Sequence, residues 1–219
     1  MTRAKICGVR GVEPARAALA AGASMLGFVF YPPSHRYLTP DEARDLIAQV
    51  RSSEGSQWRA VGLVVNEPLA AVESLYRHCD LDLIQLSGNE DLAYCRSMSV
   101  PFIKCVRPTR LETDRLAQET DRQYWGAERV LLDAHLDGRF GGTGLALPWD
   151  EVRAVAAECI LAGGLDAGNV GEAIERARPW AVDVSSGVER DKQKDPTLIT
   201  TFLHEVQRAD RQHRIATPA

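Results

Sequence analysis

The sequence predicts a single closed (β/α)8 barrel, the fold also called the TIM barrel. Eight short apolar runs each lead into a glycine-bearing or polar loop and then into a stretch rich in Ala, Leu, Glu and Arg. Short β-rich runs that alternate with amphipathic helices indicate a parallel sheet. A length of 219 residues is typical of one such barrel. These three observations favour a closed barrel of eight strand-and-helix units.

The elements follow one another in a regular order. We predict strands at residues 4–7, 25–30, 60–65, 83–86, 102–106, 130–132, 159–162 and 181–184. We predict helices at residues 13–21, from residue 39, at 66–76, 90–96, 148–155, 169–177 and 196–207, with a less regular charged segment through residue 120. Thr39 and Glu42 form a capping box around Pro40, which marks a helix start. The barrel is expected to span residues 1–207, and residues 208–219 are expected to form a polar tail.

The alternative fold is an open doubly wound sheet. Such sheets commonly carry a G-x-G-x-x-G loop after the first strand, which is absent here. Gly142 and Gly144 have the local spacing of that motif, but no third glycine or helix start follows them.

Composition excludes several classes of function. The formal net charge of −4 argues against a nucleic-acid partner, and no apolar run is long enough to cross a membrane. The N-terminus has no signal-peptide core, and five scattered cysteines without a C-x-x-C motif are typical of reduced thiols, so a cytoplasmic protein is expected. The histidines show no ligand spacing, so we expect no metal.

Several chemically reactive residues follow the predicted strands, whose carboxyl ends meet on one face of a barrel. Cys7 ends the first strand, Arg36 lies in the second loop, and Asp133 ends the sixth strand. Each also has a plain structural interpretation. Cys7 would be a small buried apolar residue, Arg36 a surface partner for a residue such as Asp41, and Asp133 a turn cap. Lys5 shares the face of Cys7 one layer deeper, where it would be an uncommon buried charge or would tune the thiol electrostatically.

Six motifs in order along the chain carry a family resemblance. They are Lys5-Ile6-Cys7-Gly8 and residues 27–37, 61–66, 132–133 with 141–144, 161–165, and 182–189. Together they resemble the phosphoribosylanthranilate isomerase family of tryptophan biosynthesis. One position departs from the family, which usually has histidine where this chain has Ser87. Because serine is shorter and carries no charge, a substrate contact there would be lost, weakened or bridged by water.

The resemblance implies an Amadori rearrangement of N-(5′-phosphoribosyl)anthranilate to 1-(2-carboxyphenylamino)-1-deoxyribulose 5-phosphate, without a cofactor. It implies that Cys7 is the general base and Asp133 the general acid. Cys7 must then be activated as a thiolate, and Asp133 needs a raised pKa from apolar surroundings or a like charge. Arg36 would hold the anthranilate carboxylate, and Ser87 and Asp183 would contact the substrate. The phosphate would lie among loop residues, as in many barrels: Gly142, Gly144, Gly163, Gly164, Ser185, Ser186 and Gly187.

Two other functions stay open. The first is a related ribose-phosphate isomerase that acts on a histidine-pathway aminoaldose, although such relatives usually carry aspartate in place of Cys7. The second is a catalytically weak barrel that binds phosphoribosyl ligands, against which Cys7, Arg36 and Asp133 together argue. The expected partner is a small phosphoribosyl substrate, and the expected state is a monomer or homodimer.

Overall fold

The computed structural model describes residues 1–108, 113–133 and 149–216. Eight parallel strands form a closed barrel in chain order. They are β1 (Arg3–Cys7), β2 (Met25–Val29), β3 (Arg59–Val64), β4 (Leu83–Leu86), β5 (Phe102–Val106), β6 (Arg129–Asp133), β7 (Cys159–Ala162) and β8 (Ala181–Val184). The predicted closed barrel is confirmed, and the open sheet is excluded.

The helices surround this barrel. They are α1 (Val12–Ala20), α2 (Pro40–Glu54), α3 (Leu69–His78), α4 (Leu92–Arg96), α5 (Thr113–Thr120), α6 (Arg122–Trp125), α7 (Trp149–Ala156), α8 (Val170–Ala177) and α9 (Pro196–Ala216). The capping box of α2 is present, because the Thr39 hydroxyl accepts from the Glu42 amide while the Glu42 carboxylate accepts from the Thr39 amide. The irregular segment predicted before residue 120 contains α5.

The strands are buried on both faces, as their apolar composition predicts. Alternate residues fill the barrel interior, including Met25, Leu83, Ile103, Leu131 and Ile160. The other alternate residues pack against the helices in a larger apolar cluster. This alternation places every second side chain at a strand end over the barrel mouth.

Most element ends differ from the sequence prediction by one to three residues, and the short helix α6 was not predicted. Two further differences are larger. The last helix continues beyond residue 207 to Ala216. It is tied to the N-terminus, because the Asp210 carboxylate accepts hydrogen bonds from the Thr2 amide at 2.7 Å and the Thr2 hydroxyl at 2.9 Å. A small antiparallel hairpin, β9 (Glu189–Arg190) and β10 (Gln193–Lys194), follows β8 and was not predicted.

Candidate active site

Cys7 ends β1 with its side chain buried at the barrel mouth. Gly27 lies opposite on β2, and a methyl group there would come within 2.9 Å of the Cys7 sulfur and 3.1 Å of Lys5 Nζ. Burial raises the pKa of the Cys7 thiol, and the ammonium groups of Lys5 and Lys194 act in the opposite direction. Two cations beside the thiol therefore offset part of the cost of ionising it, which a cysteine base needs.

Lys5 lies one layer deeper, as the strand alternation predicts, and is fully buried. Its ammonium is 2.8 Å from the Asp183 carboxylate on the neighbouring strand β8, where the two residues are in register. Burial alone would lower the pKa of Lys5, but Asp183 and Cys7 outweigh it, so the pKa is raised and the lysine stays charged. Asp183, expected to contact substrate, thus also holds this buried cation.

Asp133 ends β6 on the other side of the mouth, and 13% of its side chain is exposed. The Arg107 guanidinium lies 3.4 Å from the carboxylate. The sequence suggested apolar or like-charged surroundings for Asp133, whereas the structure places a cation beside it. Leu131, one layer deeper on the same face, is the apolar part of the surroundings of Asp133.

Arg36 makes a two-pronged ion pair with Glu189 of β9, with Nε 2.6 Å and Nη2 2.7 Å from the two carboxylate oxygens. The suggested alternative partner, Asp41, instead contacts Arg44 and His78. Two hydrogen bonds along one edge fix the guanidinium plane. Arg36 is thereby oriented before any ligand arrives.

Ser87 follows β4 and is buried, and its hydroxyl accepts a hydrogen bond of 3.0 Å from the Gln85 side-chain amide. The remaining amide oxygen of Gln85 is buried and has no hydrogen-bond partner among the residues that the structure describes. Gln85 lines the same pocket as Ser87. Ser87 therefore lies beside a polar side chain whose acceptor oxygen is not used by any described residue.

The predicted phosphate loops lie beside the thiol. Gly163 and Gly164 have φ values of +94° and +63°, a backbone conformation that glycine adopts without strain. The Ser185 hydroxyl donates to the Cys7 carbonyl oxygen at 3.0 Å, which ties β8 to β1. A side chain at Gly187 would collide with the Leu165 carbonyl, so the loops after β7 and β8 approach closely. Gly142 and Gly144 lie outside the described residues.

One pocket at the carboxyl ends of the strands brings most of these residues together. Its lining includes nine of the predicted site residues: Cys7, Arg36, Ser87, Asp133, Gly163, Gly164, Asp183, Ser185 and Ser186. Within the described parts of the chain, no cluster of three metal-ligating side chains occurs, and no helix could span a membrane.

Sequence reasoning missed roles for Glu189, Lys194, Gln85 and Arg107. Arg107 was identifiable by its position at a strand end, and Glu189 by its place at the end of the 182–189 motif. Lys194 lies on a hairpin strand without a sequence signal. Fold and site together define a (β/α)8-barrel enzyme whose mouth offers a thiol, a carboxyl group and an arginine to one small molecule.

Residues 4–205 match the family described as N-(5'phosphoribosyl)anthranilate (PRA) isomerase. The chain belongs to this family, an isomerase family of tryptophan biosynthesis. The N-(5'-phosphoribosyl)anthranilate isomerase of Moorella thermoacetica is 42% identical over 216 residues, which cover 97% of this chain and 93% of the relative.

Solved structures agree with this assignment. The phosphoribosyl anthranilate isomerase of Thermotoga maritima superposes with a TM-score of 0.82 at 31% identity, covering 94% of this chain and 99% of that one. A phosphoribosyl anthranilate isomerase in complex with reduced 1-(o-carboxyphenylamino)-1-deoxyribulose 5-phosphate gives a TM-score of 0.78 at 31% identity, with the same coverage of both chains.

Proposed function

We propose that this protein converts N-(5′-phosphoribosyl)anthranilate into 1-(2-carboxyphenylamino)-1-deoxyribulose 5-phosphate, with Cys7 as general base and Asp133 as general acid. The observation that carries the proposal is the single pocket that both side chains line, together with Arg36 and the loops after β7 and β8. Relatives that carry this activity in their names share about two fifths of the sequence over nearly the whole chain, with 42% identity in one case.

The chemistry needs two proton transfers. The Asp133 carboxylic acid protonates the furanose ring oxygen, the bond from C1 to that oxygen breaks, and the anilino nitrogen supplies the electron pair that forms a protonated imine. The Cys7 thiolate then removes the proton from C2, and its electrons neutralise the imine to give an enolamine. Tautomerisation of the enolamine yields the ketone. The cationic imine acidifies C2, so a thiolate is a sufficient base.

Arg36 is proposed to bind the anthranilate carboxylate. Glu189 occupies one edge of the guanidinium, and a planar guanidinium has a further edge that suits a second carboxylate. Asp183 and Ser87 are proposed to contact the ribose part. Gly163, Gly164, Ser185, Ser186 and Gly187, with Gly142 and Gly144 from outside the described residues, are proposed to surround the phosphate.

A direct assay tests this function. Purified protein is mixed with N-(5′-phosphoribosyl)anthranilate, and the loss of substrate fluorescence is followed. Cys7→Ala and Asp133→Asn are each expected to lower kcat about 10²–10⁴-fold, as for a positioned acid or base. Cys79→Ala removes a buried thiol away from the pocket, and Asp137→Asn removes another carboxylate, four positions after Asp133 in the sequence. Both are expected to keep wild-type turnover.

Wild-type turnover in Cys7→Ala and Asp133→Asn would refute the assigned roles. Turnover of a histidine-pathway aminoaldose, or tight binding without turnover, would favour one of the two alternatives instead. We also propose a cytoplasmic protein, since all five cysteines are free thiols. It is expected to be a monomer or homodimer, which size-exclusion chromatography with light scattering distinguishes.

A further inference from the structure

The β9–β10 hairpin carries two buried charges that contact the catalytic end of the barrel. Lys194 has only 3% of its side chain exposed, and its ammonium donates to the Ser185 carbonyl oxygen at 2.8 Å. The same ammonium lies 2.6 Å from a Glu189 carboxylate oxygen. Glu189 in turn holds Arg36 by two hydrogen bonds. The hairpin therefore joins the Arg36 guanidinium to the end of β8.

The hairpin also reaches Cys7. Ser185, which accepts from Lys194, donates its own hydroxyl hydrogen to the Cys7 carbonyl oxygen at 3.0 Å. Burial lowers the pKa of Lys194, whereas Glu189 and the Cys7 thiolate favour its ammonium form. That ammonium in turn acts to lower the pKa of the Cys7 thiol, against the larger effect of burial. Lys194 does not line the pocket. It can therefore influence the base but cannot replace it.

The charges on this side of the pocket do not cancel. Two ammonium groups and one guanidinium stand against two carboxylates, which leaves one positive charge in excess. Those groups are Lys5, Lys194, Arg36, Asp183 and Glu189. Across the pocket, Arg107 and Asp133 lie together as a cation and a carboxyl group, and Cys105 is a further buried thiol. The excess charge offsets the cost of a buried thiolate.

We infer that Lys194 is a positioning residue for the general base: held by Glu189 and the Ser185 carbonyl, its ammonium adds to that of Lys5 and offsets part of the cost of forming the Cys7 thiolate at this buried position. The inference rests on the proposed role of Cys7. Lys5 acts on the thiol more strongly than Lys194, but its partner Asp183 opposes part of that effect. Glu189 is shared between Lys194 and Arg36, and so it neutralises only one of two cations.

Two substitutions with opposite predicted signs test the inference. Lys194→Met removes a positive charge, so the pKa of Cys7 rises and alkylation of the thiol by iodoacetamide below that pKa slows about tenfold for each unit. Glu189→Gln removes a negative charge, so alkylation becomes faster than in the wild type. Mass spectrometry of the Cys7 peptide separates this reaction from that of the four other thiols. The acidic limb of the kcat/KM profile shifts in the same two directions.

Lys192→Met is the matched control, because Lys192 is an exposed lysine in the same hairpin turn. It is expected to leave the alkylation profile unchanged, and Lys194→Arg is expected to restore most of the wild-type rate. Circular dichroism establishes that each variant is folded. If Lys194→Met and Glu189→Gln move the profile in the same direction, or if neither moves it, Lys194 only anchors the hairpin and the inference is refuted. Alkylation needs no turnover, so this outcome is distinct from a failure of the proposed reaction.

Discussion

The loop after β4 is held by a buried ion pair, and the loss of stability on breaking that pair can be worked out from the structure. Lys104 of β5 points away from the barrel interior, with Nζ 2.9 Å from a Glu90 carboxylate oxygen and 3.4 Å from the Gly88 carbonyl oxygen. The two charged side chains are 4% and 1% exposed. Glu90 also accepts hydrogen bonds from the amides of Asn66 and Gly88. Lys104→Met therefore leaves a buried carboxylate without its cation.

Breaking one side of a buried ion pair typically costs about 3–5 kcal/mol. The lower end, about 3 kcal/mol, applies here because the backbone amides still bind the Glu90 carboxylate. For a domain of this size, a loss of about 3 kcal/mol lowers Tm by roughly 6–12 °C. Urea unfolding followed by circular dichroism measures the free energy of unfolding, and a thermal scan measures Tm.

The double variant Lys104→Met/Glu90→Gln separates this explanation from a packing defect. Removing both charges is expected to recover part of the lost stability, so the two changes are non-additive by about 0.5–3 kcal/mol. The exposed Lys192→Met serves as a control. A Lys104→Met protein within about 0.5 kcal/mol of the wild type, which is typical of a surface change, would refute the reasoning.

Three further predictions concern the site itself. Arg36 and Lys194 outweigh the effect of burial on Glu189 and lower its pKa from 4.5 to about 2. Glu189 therefore contributes stability above pH 4.5 that is lost as the pH falls towards 2. Urea unfolding across this range is expected to show that Glu189→Gln loses less stability in acid than the wild type does. Gly27→Ala places a methyl group 2.9 Å from the Cys7 sulfur and is expected to cost about 1–3 kcal/mol. Gly171→Ala on α8 places its methyl group at an ordinary contact distance of 3.8 Å from the Arg208 guanidinium, and it is expected to be neutral or stabilising by about 0.5–1 kcal/mol in the same assay. Arg36→Lys cannot bind two oxygens in one plane and is expected to raise KM roughly tenfold with a smaller change in kcat; an unchanged KM in steady-state kinetics would exclude Arg36 from the substrate carboxylate.

The sequence predicts the barrel because its strands are apolar on both faces. The bounds of β4, β5, β7 and β8 agree with the prediction at both ends, and each of these runs is followed by a polar residue or glycine. The end of α9 was wrong because residues beyond 207 are polar, and only the fold brings Asp210 to Thr2. A two-residue strand such as β9 or β10 has too few positions to show a periodicity.

The candidate site, like the fold, was predictable from the sequence only in part. Cys7 and Asp133 are predictable because a reactive side chain at the end of an apolar run is visible in the sequence. The ion pairs around these residues are not predictable, because they depend on strand register. Lys5 meets Asp183 only when β1 and β8 pair as the first and last strands of a closed ring. Arg36 likewise pairs with Glu189, although the two residues are 153 positions apart in the sequence.

The charged partners explain how short side chains at strand ends keep a fixed position. Lys5 with Asp183 and Lys194 with Glu189 each join two different elements beside Cys7. A buried charge pair is a poor source of stability but tolerates few alternative arrangements, because either charge left alone in the interior is costly. The same pairs that fix the geometry also set the charge that the thiol experiences. A substitution at Lys194 or Glu189 should therefore change the reactivity of Cys7 even where the barrel remains folded.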